Sequence, residues 1–273
     1  MEVPTQPGIY ENLPFQIYVQ IDAVNASYLK LLSEVPAKAK LPDKDSKDKR
    51  FGRAVHAYVL EGKSTFFREF AVAGKVDKRT KEGKAKWAEF ERQSEGKTVL
   101  DSSDYGIIMM MNDAVEAHPF AGKLLHQGRS EVTVVWRDVE TGLLCKCRPD
   151  RIPANTEGVF LDLKSTKNAG EFIFRRDCVH YKYYNSAAWY MEGLGIATGK
   201  LYTDFAFIAV EKEPPYRVEV YTLEDKFLAR GYDENHHWLA KEKEYREQNF
   251  WPHYKNPGAI ELFKPQYLEG EFE

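Results

Sequence analysis

Between Glu131 and Lys164 the apolar residues change their spacing, and this limits the folds open to the chain. Residues 131–137, EVTVVWR, are rich in β-branched and aromatic side chains, the composition of a strand. Thr141-Gly142 marks a turn, and Leu143 to Arg148 reads as a second strand. Glu157-Gly158 marks another turn, and Val159 to Lys164 (VFLDLK) reads as a third. The expectation is an antiparallel meander of short strands.

Helical spacing governs the flanks. FGRAVHAYVLEG (51–62) puts Val55, Val59 and Leu60 on one face. A second helix is predicted from Thr80 through Trp87 and Phe90, and a third from Ser103 to Ala117, stopped by Pro119. Ser27 is expected to cap a short helix carrying Leu29, Leu31 and Leu32. After the strands, a helix is predicted from Cys178 to Met191, then strands at Thr203–Val210 and Tyr216–Thr222. A charged helix over 224–248 follows. The order predicts a mixed α/β fold with a small central sheet flanked by helices. A helical part, 1–125, is expected to precede a core at 126–273, all in one compact domain.

Asp162 and Lys164 lie two apart on the third predicted strand, so they share a face while Leu161 and Leu163 point into the core. Asp150 ends the preceding strand. Two carboxylates and an ammonium group are thus expected at one spot. Carboxylate oxygens suit Mg²⁺, which activates water and steadies a leaving oxygen. A nearby lysine orients the water or neutralises developing charge. The Asp-x-Lys triplet alone is equally consistent with a surface salt bridge. Pro149-Asp150 at hairpin distance favours a site.

The net charge of −3 argues against a protein that grips duplex nucleic acid over its whole surface, since such proteins are usually basic. Positive charge is instead local. One stretch holds Lys38, Lys40, Lys44, Lys47, Lys49, Arg50 and Arg53, within a predicted loop at 36–50 and the helix after it. The other holds Lys75, Lys78, Arg79, Lys81, Lys84 and Lys86. Each also carries acids, so both a solvated face and sequence-neutral phosphate contact stay open. The three cysteines, Cys145, Cys147 and Cys178, form neither a disulfide framework nor a four-thiolate set. They point to a reducing compartment without a structural zinc or iron–sulfur cluster. With no signal peptide and no apolar run of roughly 20 residues, a cytoplasmic location without membrane contact is expected.

RPD followed by LDLK resembles the PD-(D/E)xK nucleases, and more narrowly the RecE-type recombination exonucleases related to lambda exonuclease. FGRAVHAYVLEG, KRTKEGKAKW, SEVTVVW and PPYRVEVYTL extend the likeness over most of the chain. The resemblance implies a restriction-endonuclease-like core. It implies that His56, Asp150, Asp162 and the backbone carbonyl of Leu163 hold a metal, Mg²⁺ with Mn²⁺ as a substitute. It makes Lys164 the catalytic lysine, with Glu131, at the start of the first core strand, near the metals. Tyr190 stands where the family's Q-x-x-x-Y helix has its tyrosine; Ser186 replaces the glutamine, a departure that shortens the reach of that position. Arg53, Arg79, Lys81, Arg148, Ser165 and Ser186 are candidate substrate contacts.

The same resemblance implies an exonuclease degrading one strand of duplex DNA from a free 5′ end to mononucleotides. It further implies a homo-oligomeric ring of three or four subunits, and a single-strand annealing protein as recombination partner in a bacterial or phage-infected cell. Two alternatives stand beside it. One is a single-strand or structure-selective DNase on the same core; the other is a non-catalytic DNA-binding recombination protein.

Overall fold

The computed structural model describes residues 2–42, 45–154, 158–254 and 258. Lys44 and Glu157, which the sequence places in a basic stretch and a turn, lie outside the described residues. The chain starts with β1 (Gly8–Tyr10), α1 (Phe15–Gln20) and α2 (Ala26–Glu34). Asn25, not Ser27, caps α2, its side chain accepting the Tyr28 N–H at 2.8 Å. The expected loop at 36–50 is a 3₁₀ turn, Pro36–Lys40, followed by α3 (Lys47–Val59), which Ser46 caps. α3 therefore begins four residues before the apolar pattern that announced it.

Next come α4 (Lys63–Glu69), β2 (Phe70–Ala73), α5 (Lys81–Gln93) and β3 (Thr98–Asp101). β2 and β3 pair in parallel, with α5 as their crossover. α6 (Ser102–Ala117) and α7 (Ala121–Leu125) lead to the core strands. These are β4 (Arg129–Ser130), β5 (Thr133–Arg137), β6 (Leu144–Cys147), β7 (Arg151–Ile152) and β8 (Phe160–Thr166). α8 (Glu171–His180), α9 (Tyr183–Thr198), β9 (Phe205–Glu211), β10 (Val218–Thr222) and α10 (Asp225–Gln248) complete the fold.

The expected three-strand meander does not form. β5 and β6 make a hairpin in a sheet ordered β1-β5-β6, whereas β8 belongs to a second sheet, β10-β9-β8-β7-β4. Pro149 supplies the reason: it has no N–H, so the β6 ladder cannot run on through it. β8 instead pairs in parallel with β9, reached through α8 and α9. The helix predicted from Cys178 is likewise two helices, broken where Lys182 takes a left-handed conformation with φ of 53°.

Helices cover both faces of the larger sheet. Leu161, Leu163, Ala206 and Ile208 pack against α3 and α6 through Val55, Ile108 and Met111. Phe160, Phe205 and Phe207 pack on the other face with Trp189 of α9 and Leu239 of α10. The Asp162 side of β8 is therefore a second interior rather than a surface, which is why so much of this strand is apolar. Trp136 of β5 and Trp189 of α9 meet at 4.9 Å between ring centroids, and Trp189 Nε1 donates to the Lys146 carbonyl at 3.0 Å. These contacts fix the hairpin sheet against α9.

Candidate metal centre

The site forms where β8 outruns its neighbour. Leu161 pairs with Arg151 of antiparallel β7. Continuing that register sets Pro149 opposite Leu163, and proline has no N–H to offer the Leu163 carbonyl. Both backbone groups of Leu163 go to side chains instead. Its N–H donates to Asp150 Oδ2 at 2.6 Å, and its carbonyl lies 2.9 Å from His56 Nε2 on α3. The other His56 nitrogen, Nδ1, faces Asp150 Oδ1 at 3.2 Å and Glu131 Oε1 at 3.9 Å. One ligand atom each from His56, Glu131 and Asp150 falls within 4.8 Å of the others.

Asp162 and Lys164 sit beside this trio. The Asp162 side chain is 2% exposed and its Oδ2 meets Lys164 Nζ directly. The Lys164 ammonium also lies 4.8 Å from the Tyr183 ring centroid, a favourable cation–π distance. Glu131 departs from its expected place in a strand: β5 starts at Thr133, and Glu131 has a left-handed φ of 51°. Its N–H reaches the Asp150 carbonyl at 3.1 Å, joining the two sheets at the site. Strain of this kind in a non-glycine residue collects at functional positions.

The charges are strongly coupled. Burial works against a cation at His56, but Asp150 and then Glu131 outweigh it and hold its pKa up, at about 9. Burial also opposes the Asp150 carboxylate, yet His56, Lys164 and the Leu163 N–H keep it below the ordinary range. Burial and the neighbouring Asp150 charge push Glu131 upward. Burial raises Asp162 too, against the pull of Lys164. Lys164 stays protonated despite its burial because Asp162 and Asp150 face it. Burial, then Asp162 and Asp150, raise the Tyr190 hydroxyl far above its usual value, so it remains a donor.

A cleft of about 900 Å³ opens over His56, Glu131, Arg148, Asp150 and Tyr190. Of the other expected substrate contacts, Arg53 lines the cleft and pairs with Asp45 at 2.9 Å. The Arg148 guanidinium is engaged by Glu131, Leu13 and Thr133. Ser165 and Ser186 are half-buried and do not line the cleft. Arg79, its side chain 91% exposed, pairs with Asp77 just before α5, which Lys81 begins; neither lines the cleft. Two contributions escaped the sequence reading. Leu13 to Gln16, Tyr18 and Val19 form a wall of the cleft, foreshadowed only by Pro14 ahead of the apolar FQIYV. Tyr183 supports Lys164, with nothing in its local pattern to mark it.

One imidazole, two carboxylates and a backbone carbonyl left without a strand partner fit Mg²⁺ or Mn²⁺, which favour oxygen donors and, for Mn²⁺, accept a nitrogen. The three cysteines are buried and unbridged, and none joins this group. No described helix is long and apolar enough to cross a membrane.

The fold matches the crystal structure of a candidate exonuclease from Eubacterium rectale, with a TM-score of 0.61 at 13% identity over 98% of each chain. An alkaline exonuclease from Laribacter hongkongensis aligns over 85% of this chain and 95% of its own, at 11% identity. Its TM-score of 0.27 is too low to bear on this fold. No curated protein matches in sequence. Residues 18–266 match the family described as a PDDEXK-like domain of unknown function (DUF3799), a span that takes in the open edge of β8, Asp150, Asp162 and Lys164. The chain belongs to this PDDEXK-like family, and its mixed α/β core is of the PD-(D/E)xK kind.

Proposed function

We propose that the protein is a divalent-metal-dependent exodeoxyribonuclease that hydrolyses one strand of duplex DNA from its 5′ end. The observation that carries the reading is the convergence of His56, Glu131 and Asp150 on the unpaired edge of β8, beside Asp162 and Lys164. His56, Asp150, Glu131 and the Leu163 carbonyl would hold the cation, with Asp162 as a further carboxylate behind them. Mg²⁺ is the expected ion and Mn²⁺ its substitute; bound there, it would lower the pKa of water and offset charge on the phosphate.

The protein groups have separable tasks. Lys164, kept charged by Asp162, would face the scissile phosphate and neutralise charge gathering on it. Tyr190, kept protonated, would donate a hydrogen bond to a phosphate oxygen. Arg53 lies on the cleft, where it would meet the backbone. Arg79, Lys81 and the other cations around α5 would grip phosphates further along, without reading bases.

The 5′ polarity, the ring assembly and the annealing partner follow the likeness to recombination exonucleases. A linear duplex blocked at its 5′ or 3′ ends tests the polarity. Mg²⁺-dependent release of mononucleotides should vanish with the 5′ block and with Asp162→Ala. Cutting of closed circles, or hydrolysis indifferent to the 5′ block, would reject the exonuclease assignment. DNA binding without any metal-dependent hydrolysis would favour a non-catalytic recombination protein.

A further inference from the structure

Arg148 lies just beyond β6, two residues before Asp150, with its side chain 10% exposed. Its Nε donates to Glu131 Oε2 at 2.6 Å. Its Nη1 donates to the Leu13 carbonyl at 2.5 Å and to Thr133 Oγ1 at 3.2 Å. One rigid, planar group therefore holds both a candidate metal ligand and the backbone of the N-terminal segment. Lys146, two residues earlier and on the same side of the strand, grips that segment too. Its Nζ donates to the carbonyls of Tyr18 at 2.9 Å and Ile21 at 2.7 Å, and lies 4.7 Å from the Tyr18 ring centroid.

The clasped segment is the cleft wall formed by Leu13, Phe15, Gln16, Tyr18 and Val19. Phe15 and Val19 are exposed. At the other end of the Arg148 side chain stands Glu131, with its left-handed backbone and a half-buried carboxylate. Oε2 is taken by Arg148 and Oε1 is turned toward His56. A carboxylate anchored through one oxygen presents the other in a fixed direction, the arrangement by which an outer partner orients a metal ligand.

We propose that Arg148 is a positioning residue that aims Glu131 at the metal position and ties this ligand to the cleft wall of residues 13–19. The inference rests on the metal-dependent reading above. A nucleic acid strand pressed against the wall and a cation at its floor then act on the same guanidinium, so each favours the binding of the other. Lysine at this position would keep the charge opposite Glu131. It would lose the fork that reaches Leu13 at the same time.

The test measures Mn²⁺ binding by electron paramagnetic resonance and, separately, KM and kcat on a 5′-phosphorylated duplex. Arg148→Gln should weaken Mn²⁺ binding by about 10- to 100-fold. Adding Arg148→Gln to Glu131→Gln should cost no more than Glu131→Gln alone, because the two act as one unit. Arg148→Lys should recover most of the Mn²⁺ affinity while KM stays raised. Lys146→Met, which loosens the wall and spares the Arg148–Glu131 pair, should raise KM and change Mn²⁺ affinity by less than about twofold.

Wild-type Mn²⁺ affinity in Arg148→Gln, or losses that add in the double variant, would overturn the link to Glu131. Recovery of both Mn²⁺ affinity and KM in Arg148→Lys would overturn the link to the wall. Circular dichroism checks each fold, and Arg148→Lys carries the comparison if the glutamine variant does not fold. If the wild type shows no Mn²⁺ signal that Asp150→Asn removes, the metal reading itself fails and this inference fails with it. A normal wild-type signal that persists in Arg148→Gln removes only the role of Arg148.

Discussion

Asp150→Asn separates the charge balance kept by the central carboxylate from the metal binding proposed for it. In the metal-free protein, three cations (His56, Arg148 and Lys164) stand among three carboxyl groups (Glu131, Asp150 and Asp162). Asp150 is the acid nearest His56, at 3.2 Å, and the one held below the usual carboxylate range. The asparagine side chain has almost the same shape, and its oxygen can still accept the Leu163 N–H. What disappears is the charge facing a half-buried imidazolium, its side chain 27% exposed. Breaking a buried pair by removing one partner costs about 3–5 kcal/mol. The lower end applies here, about 3 kcal/mol, because Glu131 at 3.9 Å supplies part of the lost charge. For a chain of this size each kcal/mol moves Tm by about 2–4 °C, so a fall of about 6–12 °C is expected in EDTA at pH 7.

Mn²⁺ at 100 times its Kd should then stabilise the wild type by about 2.7 kcal/mol and leave Asp150→Asn nearly unmoved. Thermal melts with and without metal give both numbers. A variant as stable as the wild type in EDTA, or more stable, would refute the balanced-charge argument. It would mean that the site carries surplus negative charge when metal is absent.

Three further outcomes are expected. Lys164→Met should lower kcat by about 100- to 1,000-fold, the usual cost of losing one group that stabilises transition-state charge, while Mn²⁺ binding by resonance is retained. Gly193→Ala would put a Cβ 2.5 Å from Trp136 Cζ3, against a buried ring packed on Trp189. The resulting overpacking, about 1–3 kcal/mol, should exceed the roughly 1 kcal/mol gained in helix propensity and lower the urea midpoint. Glu234→Gln should destabilise the protein in a pH-dependent way. Burial opposes the Glu234 charge, but hydrogen bonds from Arg230 and Lys182 outweigh it and hold the carboxyl at about 2. Its folded pKa lies below the ordinary 4.5, so its contribution is present above pH 4.5 and fades as pH falls toward 2. Urea unfolding of both proteins at pH 6 and pH 3 should show a gap that narrows with acid; an unchanged gap would count against the ion pair.

The local parts of the site were readable because they depend on short-range spacing. Asp162 and Lys164 share a strand face through the two-residue repeat, and Leu161 and Leu163 turn to the opposite core. The helices around His56 and Ile108 followed from apolar periodicity, and Thr80 caps α5 as its hydroxyl allows. The division of the strands between two sheets was not readable. A meander and a split pair of sheets share the same local pattern, and the choice rests on Pro149 and on the parallel partner β9. Lys182 broke a predicted helix through a backbone conformation that its side chain does not announce.

The residue types needed for a metal centre, and the strand that carries two of them, are properties of the chain as written. Their meeting is a property of the fold. His56 reaches the Leu163 carbonyl across 107 positions of sequence. It does so only because β8 extends past β7 and leaves a backbone group that α3 can satisfy. Glu131 turns toward the same point through a left-handed backbone held between two sheets, with Arg148 fastening it. Spacing along a strand is short-range and survives in the sequence. An unsatisfied edge, and the side chains that close it, exist only after distant strands have chosen their partners.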